Sequence, residues 1–206
     1  YHIYPLGLCA APPSNDFSSP PEARLQQLHG WLDHLQSLGV NAVYLGPVFE
    51  SSTHGYDTAD YYWVDRRLGT NETLSELIDD MHQRGMRVIL DAVLNHTGRD
   101  FWAFQDVLRN GESSAYCDWF QGLRFGESTP YQDPFTYETW AGHYELVKLN
   151  LAHPAVREHL LGAVEAWINQ FEIDGLRLDA ADCMEPDFLR QLAAFCRSMR
   201  PDFWLM

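Results

Sequence analysis

The sequence carries little positive charge and few cysteines, and it contains no long apolar run. Its 14 lysine and arginine residues face 29 aspartate and glutamate residues, which gives a formal net charge of -15. Such a chain repels nucleic-acid phosphates and anionic membrane surfaces, so neither nucleic acid nor membrane is an expected partner. We favour solubility over a binding role as the reason for the acidity. No stretch of 18 consecutive apolar residues is present, so the sequence predicts no membrane span.

The cysteines bear on the compartment in which the protein works. Cys9, Cys117, Cys183 and Cys196 include no Cys-x-x-Cys pair and form no dense framework. This usage favours a reduced, intracellular protein, although two of the thiols could pair in a secreted one. The chain begins at Tyr1 and not at methionine, so the lack of a signal peptide says little about export. Localisation therefore stays open, with the cytoplasm favoured.

The sequence does contain a regular alternation of strand and helix patterns. Short apolar runs and three- and four-residue apolar spacings predict, in order, strand Tyr1–Leu6, helix Glu22–Leu38, strand Asn41–Gly46, helix Thr73–Arg84, strand Met86–Asp91, helix Pro154–Phe171, strand Gly175–Asp182, helix Pro186–Met199 and strand Phe203–Met206. This order implies a parallel sheet with right-handed crossovers. A complete eight-stranded α/β barrel needs about 250 residues. The predicted fold class is therefore α/β, a partial (β/α)8 TIM barrel that contains strands one to five.

One segment, from Thr97 to Lys148, interrupts the alternation. It holds glycine, proline and many aromatic residues but no long periodic run. A structureless loop of this length is unusual inside a compact domain, so we interpret the segment as a small inserted subdomain. The predicted organisation is a partial barrel formed by residues 1–96 and 149–206, with an insertion formed by residues 97–148 after the third strand.

Polar residues follow three of the predicted strands. In α/β barrels the reactive groups lie at the carboxyl ends of the strands. Three such ends are polar here, namely His54-Gly-Tyr-Asp57, Asp91-Ala-Val-Leu-Asn-His96 and Arg177-Leu-Asp179. All three should open on the same side of the sheet, which favours a common site.

Each of these residues also has a purely structural interpretation. Arg177 and Asp179, on one face of their strand, could neutralise each other as a structural ion pair or face a polar cavity. Tyr56 could be an ordinary loop tyrosine, His96 a hydrogen-bonded structural histidine, and Asn95 a partner for backbone groups. Convergence of all five at one rim favours function over separate structural accidents.

Four ordered segments resemble landmarks of the α-amylase superfamily, glycoside hydrolase family 13. They are His54-Gly-Tyr-Asp-Thr-Ala-Asp-Tyr61, Asp91-Ala-Val-Leu-Asn-His96, Leu146-Val-Lys-Leu-Asn150 and Gly175-Leu-Arg-Leu-Asp179. The resemblance covers nearly the whole chain. It implies that the segment from Thr97 to Lys148 is the family's B domain, which lies between the third strand and the third helix of the barrel.

The resemblance implies a role for each matched residue. Asp179 would be the nucleophile, with Arg177 beside it favouring the ionised carboxylate. In the substrate-binding group, Tyr56 would stack on the sugar ring, His96 would hydrogen-bond its hydroxyls and Asp91 would support that arrangement. The implied reaction passes through a covalent glycosyl-enzyme and retains anomeric configuration, which requires two carboxyl groups about 5 Å apart.

Aromatic residues are frequent around the proposed cleft, where sugar rings can stack on their faces. We single out only Tyr56. We expect most of the others to be core residues of the small domain; they are Tyr61, Tyr62 and Trp63 before the third strand and Phe101, Trp102, Trp119, Phe120 and Trp140 in the insertion.

The resemblance places the general acid, a glutamate, just past the fifth strand, and this chain stops at Met206. The family's later transition-state-stabilising aspartate is also absent. Asp182 and Glu185 follow the fourth strand but match no family acid. We therefore expect the 206-residue polypeptide to be inactive although its parent protein is active.

The resemblance also bears on metal binding. Family members bind calcium with an asparagine matching Asn95, an aspartate where this chain has Lys148, and a backbone carbonyl at the position of Cys183. Lys148 instead resembles the Met-Pro-Lys-Leu-Asn form of neopullulanases and related oligosaccharide-degrading members. An ammonium group opposes a hard dication that prefers oxygen ligands. We therefore expect calcium binding at Asn95 to be absent, and we predict no other cofactor.

The resulting prediction is a fragment of a retaining hydrolase that acts on an α-glucan or maltooligosaccharide. One rival is a transglycosidase of the same superfamily, in which a sugar hydroxyl replaces water. Another is a catalytically silent relative that binds carbohydrate or a protein partner, which the presence of both Asp179 and His96 disfavours. The open edges of the predicted sheet, at strands one and five, also predict self-association.

Overall fold

The structure, a computed structural model, describes residues 1–206. Its strands are β1 (His2–Ile3), β2 (Ala42–Leu45), β3 (Arg87–Ala92), β4 (His96–Gly98), β5 (Arg124–Phe125), β6 (Phe135–Thr136), β7 (Thr139–Trp140), β8 (His143–Lys148), β9 (Gly175–Leu178) and β10 (Trp204–Leu205). Its α-helices are α1 (Pro5–Leu8), α2 (His29–Ser37), α3 (Asn71–Gln83), α4 (Trp102–Asn110), α5 (Pro154–Phe171) and α6 (Pro186–Met199). Short 3-10 helices cover Arg24–Leu28, Gly111–Ser113, Cys117–Trp119 and Ala181–Cys183.

The main sheet has five strands in the order β1-β2-β3-β9-β10, and every neighbouring pair is parallel. Helices α2, α3, α5 and α6 lie in the connections between these strands. The arrangement is the predicted α/β alternation, and it brings the carboxyl ends of all five strands to one edge. Strands β1 and β10 are the outer strands of the sheet.

The first predicted strand was too long. Only His2–Ile3 is extended, and helix α1 begins at Pro5, where a proline fits the first helical turn because it has no N–H to satisfy. The predicted helix Glu22–Leu38 is also wrong in its first half, which is a 3-10 helix followed by α2. The backbone N–H groups of Glu22 and Leu25 donate to Arg66 and Leu68 in a neighbouring loop. These tertiary bonds hold the segment against that loop.

The other elements lie close to their predicted positions. Helices α5 and α6 have the predicted bounds, and each has a proline in its first turn. Helix α3 begins earlier than predicted because Thr70 and Thr73 form a reciprocal capping box. Strand β9 ends at Leu178, since Ala180 adopts a left-handed conformation with φ of 51°. Asp179 is thus the first residue beyond the strand and not part of it.

The segment between β3 and α5, called the subdomain below, lies outside the main sheet. It contains an antiparallel sheet in the order β4-β8-β7, a two-stranded sheet of β5 and β6, and helix α4, which the sequence did not predict. Phe104 and Phe135 of this subdomain belong to the same buried hydrophobic cluster as Val88 and Leu176 of the main sheet. The subdomain therefore packs on the main sheet through a shared core.

A long loop between β2 and α3 is fixed by the strands that it crosses. Buried Tyr61 donates its hydroxyl proton to the carbonyl oxygens of Val93 (2.9 Å) and His96 (3.2 Å). Trp167 Nε1 donates to the Tyr61 carbonyl at 2.6 Å. Gly98 has no room for a side chain, because a Cβ there would lie 2.3 Å from the Asp57 carbonyl oxygen. None of the helices is both long and apolar enough to cross a membrane.

Candidate active site

Two neighbouring strands place three charged residues together. Register pairs Asp91 of β3 directly with Arg177 of β9. Arg177 Nη1 donates to both oxygens of Asp91, at 3.1 Å and 3.3 Å, and to Asp179 Oδ1 at 2.6 Å. Arg177 thus bridges two carboxylates, one buried in the sheet and one just beyond its edge. The ion pair that the sequence left as one alternative is present, and it borders a cavity.

Asp91 is enclosed by hydrogen-bond donors. Its side chain is 0% exposed. Tyr44 donates its hydroxyl proton to Asp91 Oδ2 at 2.5 Å, and Tyr56 donates to the same oxygen at 3.1 Å. With Arg177 also in contact, no part of Asp91 faces the solvent. Asp91 was predicted in the substrate-binding group, and its burial fits the supporting role within that group and leaves no surface for direct contact with a sugar.

Burial sets the protonation of this network. It raises the pKa of Tyr44, and together with the charge of Asp91 it raises the pKa of Tyr56 to about 12, so both phenols are donors at neutral pH. Burial also raises the pKa of Asp91, while hydrogen bonds from Tyr44 and Arg177 act in the opposite direction.

Tyr44 was missed in the sequence analysis. It lies in β2 opposite Ile89 of β3, and period-two alternation puts Asp91 on the same face as Ile89. Alternation along each strand can be predicted from the sequence, but the register between β2 and β3 cannot. Without that register, Tyr44 has the pattern of an ordinary core residue of the strand.

His96 is buried beside Asp179 with one ring nitrogen free. The side chain is 1% exposed, and its Nε2 has no hydrogen-bond partner but lies 3.8 Å from Asp179 Oδ2. The Asn95 amide nitrogen lies 3.2 Å from His96 Nδ1, so Nδ1 is the acceptor and Nε2 carries the ring proton. Burial lowers the pKa of His96 to about 4, against the opposing charge of Asp179. At neutral pH the imidazole ring is therefore uncharged, and its Nε2–H is a hydrogen-bond donor without a partner in the protein.

A cavity of about 450 Å³ is lined by three of the six predicted site residues. Its walls include the predicted Tyr56, His96 and Asp179. Arg177 and Asp91 do not line the cavity. Each is hydrogen-bonded to a residue of its wall, Arg177 to Asp179 and Asp91 to Tyr56. The remaining lining residues were not predicted as site residues and are His54, Trp140, His143, Glu145 and Leu146.

The aromatic residues divide between core and surface. Phe101, Trp119 and Phe120 are buried, as predicted for core residues of the subdomain. Trp140 instead lines the cavity, with its ring centroid 5.9 Å from that of His96. Trp102 is exposed and lies away from the cavity. Before β3, Tyr61 is buried, whereas Tyr62 and Trp63 are exposed. Four of the eight aromatic residues are therefore buried, so the expectation that most of them are core residues is not met.

Two further carboxyl groups lie in the surroundings of Asp179, those of Asp91 and Glu145. Asp91 is close to it through Arg177, but its oxygens are fully engaged. Glu145 also lines the cavity, with its side chain 43% exposed and its Oε1 3.2 Å from His143 Nδ1.

The region around Asn95 does not fit calcium. Asn95 is buried and its Oδ1 has no hydrogen-bond partner, which leaves one amide oxygen free. Across the β4–β8 ladder, the backbone of Lys148 pairs with that of His96, so the nearby strand contributes a lysine and not a carboxylate. No group of three or more His, Cys, Asp or Glu side chains is arranged to hold a metal ion. One neutral oxygen beside an ammonium-bearing residue is a poor ligand set for a hard dication.

Comparison with known proteins places these features in a family. The model of the α-amylase catalytic domain matches residues 23–195. A cyclomaltodextrinase from Bacillus sp is 45% identical over 187 residues, which cover 88% of this chain and 33% of the relative. Neopullulanase 2 from Thermoactinomyces vulgaris is 38% identical over 220 residues, which cover 98% of this chain and 37% of the relative.

A solved structure supports the same assignment. The ligand-free cyclic α-maltosyl-(1→6)-maltose hydrolase from Arthrobacter globiformis superposes with a TM-score of 0.87 at 37% identity, covering 100% of this chain and 49% of the other. The chain spans about a third of the length of the curated relatives that it matches. These likenesses confirm the predicted partial (β/α)8 barrel, and the chain belongs to the α-amylase catalytic-domain family, glycoside hydrolase family 13.

Proposed function

We propose that this chain supplies the nucleophile and part of the substrate-binding cleft of a retaining hydrolase that acts on α-glucans. The observation that carries the proposal is the unequal environment of the two oxygens of Asp179. Oδ1 accepts a hydrogen bond from Arg177 at 2.6 Å, whereas Oδ2 faces His96 at 3.8 Å on the wall of the cavity. Arg177 thereby orients the carboxylate and leaves Oδ2 free to attack.

In the proposed reaction, Asp179 Oδ2 forms a bond to the anomeric carbon as the bond from that carbon to the leaving oxygen breaks. The leaving oxygen takes a proton from a general acid, and water then releases the sugar with overall retention. His96 fits a role in holding the sugar, since an uncharged ring with a free Nε2–H can donate to a hydroxyl without competing for the charge of Asp179. Tyr56 and Trp140 offer ring surface in the same cavity.

Two observations, the lining of the cavity and the names of the relatives, support an α-glucan as the substrate class. The cavity combines aromatic rings with hydrogen-bonding groups and contains no lysine or arginine on its wall, which suits a neutral polyhydroxylated ligand. The relatives carry the names cyclomaltodextrinase and neopullulanase, which favours maltooligosaccharides or related glucans. The same comparison favours hydrolysis over glycosyl transfer. The four free cysteines favour a reducing, intracellular setting.

The 206 residues are proposed to lack a competent general acid, because Asp91 is fully engaged and Glu145 pairs with His143. An α-maltosyl fluoride separates the two roles, since fluoride leaves without protonation. We expect mass spectrometry of the treated chain to reveal a maltosyl adduct on Asp179, and we expect no turnover of maltoheptaose. Glu145→Gln should still form the adduct, and Asp179→Asn should not.

The possible results test the nucleophile assignment and the proposed lack of a general acid separately. An adduct of equal yield in the Asp179→Asn variant would refute the nucleophile assignment. Turnover of maltoheptaose by the 206-residue chain, abolished by Asp179→Asn, would refute the proposed lack of a general acid. In the whole protein, product analysis with maltoheptaose should give free sugars of retained configuration. Products longer than the substrate would identify a transglycosidase instead.

A further inference from the structure

A second cavity, of about 680 Å³, lies apart from the one that contains Asp179. The two cavities share no lining residue. The second is bordered by the loop after β2, the start of α3 and the start of α4, and it includes Trp63 and Trp102. These elements follow the inner strands β2 and β3, and Phe17 and Pro21 from the segment after β1 complete the wall. Its volume is typical of small-ligand sites, which span about 300–1,000 Å³.

Trp102 is exposed yet held rigidly. Its side chain is 38% exposed. Its ring meets those of Tyr116 and Trp119 edge to face, with centroids 4.9 Å and 5.4 Å apart, and it also contacts Phe101 and His159. Four neighbouring rings therefore fix the indole while part of it remains open to the cavity. A ligand that stacked on this surface would meet a preorganised platform.

Trp63 is the more exposed of the two, at 64%. Its backbone is fixed although its ring is open, because its carbonyl accepts the Glu50 N–H at 2.9 Å. The residues on either side of Trp63 are fixed as well, because the buried Asn71 side chain donates to the Tyr62 carbonyl at 2.9 Å and accepts from the Val64 N–H at 2.9 Å. No aromatic ring packs against Trp63, so its indole faces are free.

Hydrogen-bonding groups accompany the two indoles. Asp60 binds the Tyr62 N–H through Oδ1 at 2.7 Å, and its Oδ2 makes no hydrogen bond within the protein. Asp100 accepts from Ser52 at 2.7 Å, and the Gln105 amide oxygen is free. These groups supply acceptors for ligand hydroxyls between aromatic faces, which is the composition of a carbohydrate site.

A cationic ligand is the competing occupant, because carboxylates and indoles also attract positive charge. Four carboxylates lie among the 15 lining residues, those of Glu50, Asp60, Glu72 and Asp100, a larger share than the 29 acidic residues make up in the 206-residue chain. The one arginine on the wall, Arg66, is already paired with Glu50 at 2.5 Å. The cavity also presents two open indoles, and that of Trp102 is held by its aromatic neighbours, which favours a sugar.

We infer that this second cavity binds an α-glucan segment, with Trp63 and Trp102 stacking on pyranose rings and Asp60, Asp100 and Gln105 accepting hydrogen bonds from hydroxyls. The choice of α-glucan rests on the proposed function. The site retains a glucan beside the catalytic cleft and performs no chemistry of its own.

The test is calorimetric titration of the chain with maltoheptaose in the Asp179→Asn background, which prevents reaction with the sugar. Two binding events are expected. Trp63→Ala should weaken one of them by about tenfold or more, the loss expected from one aromatic face. Trp31→Ala is the matched control, because Trp31 is 41% exposed on α2 and lies outside both cavities. Trp140→Ala should weaken the other event.

Each outcome separates this inference from the proposed function. Binding that responds to Trp140→Ala but not to Trp63→Ala or Trp102→Ala would overturn the inference and leave the proposed function intact. Binding that responds only to Trp63→Ala and Trp102→Ala would support the second site and count against the cleft. Binding of a tetralysine peptide that weakens with Trp63→Ala and falls steeply in salt, without maltoheptaose binding that responds to Trp63→Ala, would overturn the inference in favour of a cationic partner. Thermal unfolding of each variant checks that the fold is kept.

Discussion

The hydroxyl group of Tyr44 offers the sharpest test of the network beneath Asp179. Tyr44→Phe removes the 2.5 Å hydrogen bond to Asp91 and keeps the ring, including its stacking on His2 at 4.2 Å. A hydrogen bond to a charged partner contributes about 1.5–3 kcal/mol. Tyr56 at 3.1 Å and Arg177 at 3.3 Å still contact the same oxygen, so we expect a loss near the lower end, about 1.5–2 kcal/mol.

The effect should depend on pH in a defined direction. The folded pKa of Asp91 is raised above its ordinary value of 3.8, so the folded state takes up this proton first as the pH falls. Stability therefore decreases as the pH rises from 3.8 through the folded pKa. Loss of the Tyr44 hydrogen bond raises the folded pKa of Asp91 further and so widens the window, the pH range between 3.8 and that pKa. Below the window, where Asp91 is neutral, the cost of Tyr44→Phe should shrink.

The assay is urea unfolding of the chain at neutral pH and at pH values below the window, with the Asp91 carboxyl followed by NMR. Tyr62→Phe is the control, since that exposed hydroxyl donates to the His159 carbonyl at 3.2 Å. Its loss should change the free energy of unfolding by no more than about 0.5 kcal/mol. In the whole protein, Tyr44→Phe should lower kcat by about 10- to 30-fold if the loss is felt in the transition state, with little change in KM.

Two results would refute this reasoning. Equal stability of the Tyr44→Phe and Tyr62→Phe variants at neutral pH would mean that the Asp91 contact contributes nothing. A cost that stayed constant across the titration of Asp91 would mean that the hydroxyl acts by packing and not by bonding a carboxylate. A parallel Tyr56→Phe variant should lose less than Tyr44→Phe, because its contact with Asp91 is longer.

Three further predictions follow from the buried groups and the sheet edges. The folded pKa of His96 is about 4 against an ordinary 6.5, so the free energy of unfolding should fall by about 3 kcal/mol as the pH drops from 6.5 to 4. In urea unfolding, His96→Gln should remove this part of the pH dependence. An equal pH dependence in the two proteins would contradict the prediction. Arg67→Ala should cost about 3–5 kcal/mol in the same assay, because it leaves buried Asp65 unpaired, whereas Arg190→Ala, which breaks an exposed pair with Asp187, should cost at most about 1 kcal/mol. The 206-residue chain should self-associate in light scattering through its outer strands, and a monodisperse monomer with a sharp melt would count against this.

The order of strands and helices could be predicted because local patterns decide it. Helix α5 shows this well, since Pro154 fits its first turn and apolar residues recur at helical spacing up to Phe171. The first turns of the Glu22–Leu38 segment could not be predicted in the same way. Their backbone donors bond a loop more than 40 residues away, and sequence periodicity contains no information about that loop.

The site was predictable to the extent that it lies at strand ends. Asp91, Arg177 and Asp179 follow from the position of two strands, since carboxyl ends of neighbouring parallel strands meet at one edge. Trp140 could not be assigned, because its position depends on how β7 pairs with β8 in the subdomain. The aromatic content of that segment predicted a core, and nothing in the local pattern separates Trp140 from buried Trp119.

The structure also changes the meaning of the Arg177–Asp179 pair. The two alternatives, a structural ion pair or a polar cavity, are not exclusive, because one guanidinium nitrogen binds Asp91 in the sheet and Asp179 Oδ1 at the cavity. Asp91 has to be charged and fixed for Arg177 to stay in this position, and Tyr44 and Tyr56 fix it from the other side. A substitution at Tyr44 therefore reaches Asp179 through two intervening side chains without touching the cavity. It follows that the orientation of Asp179 depends on residues of β2, β3 and β9 together, and that a change in the register between any two of these strands would disturb it.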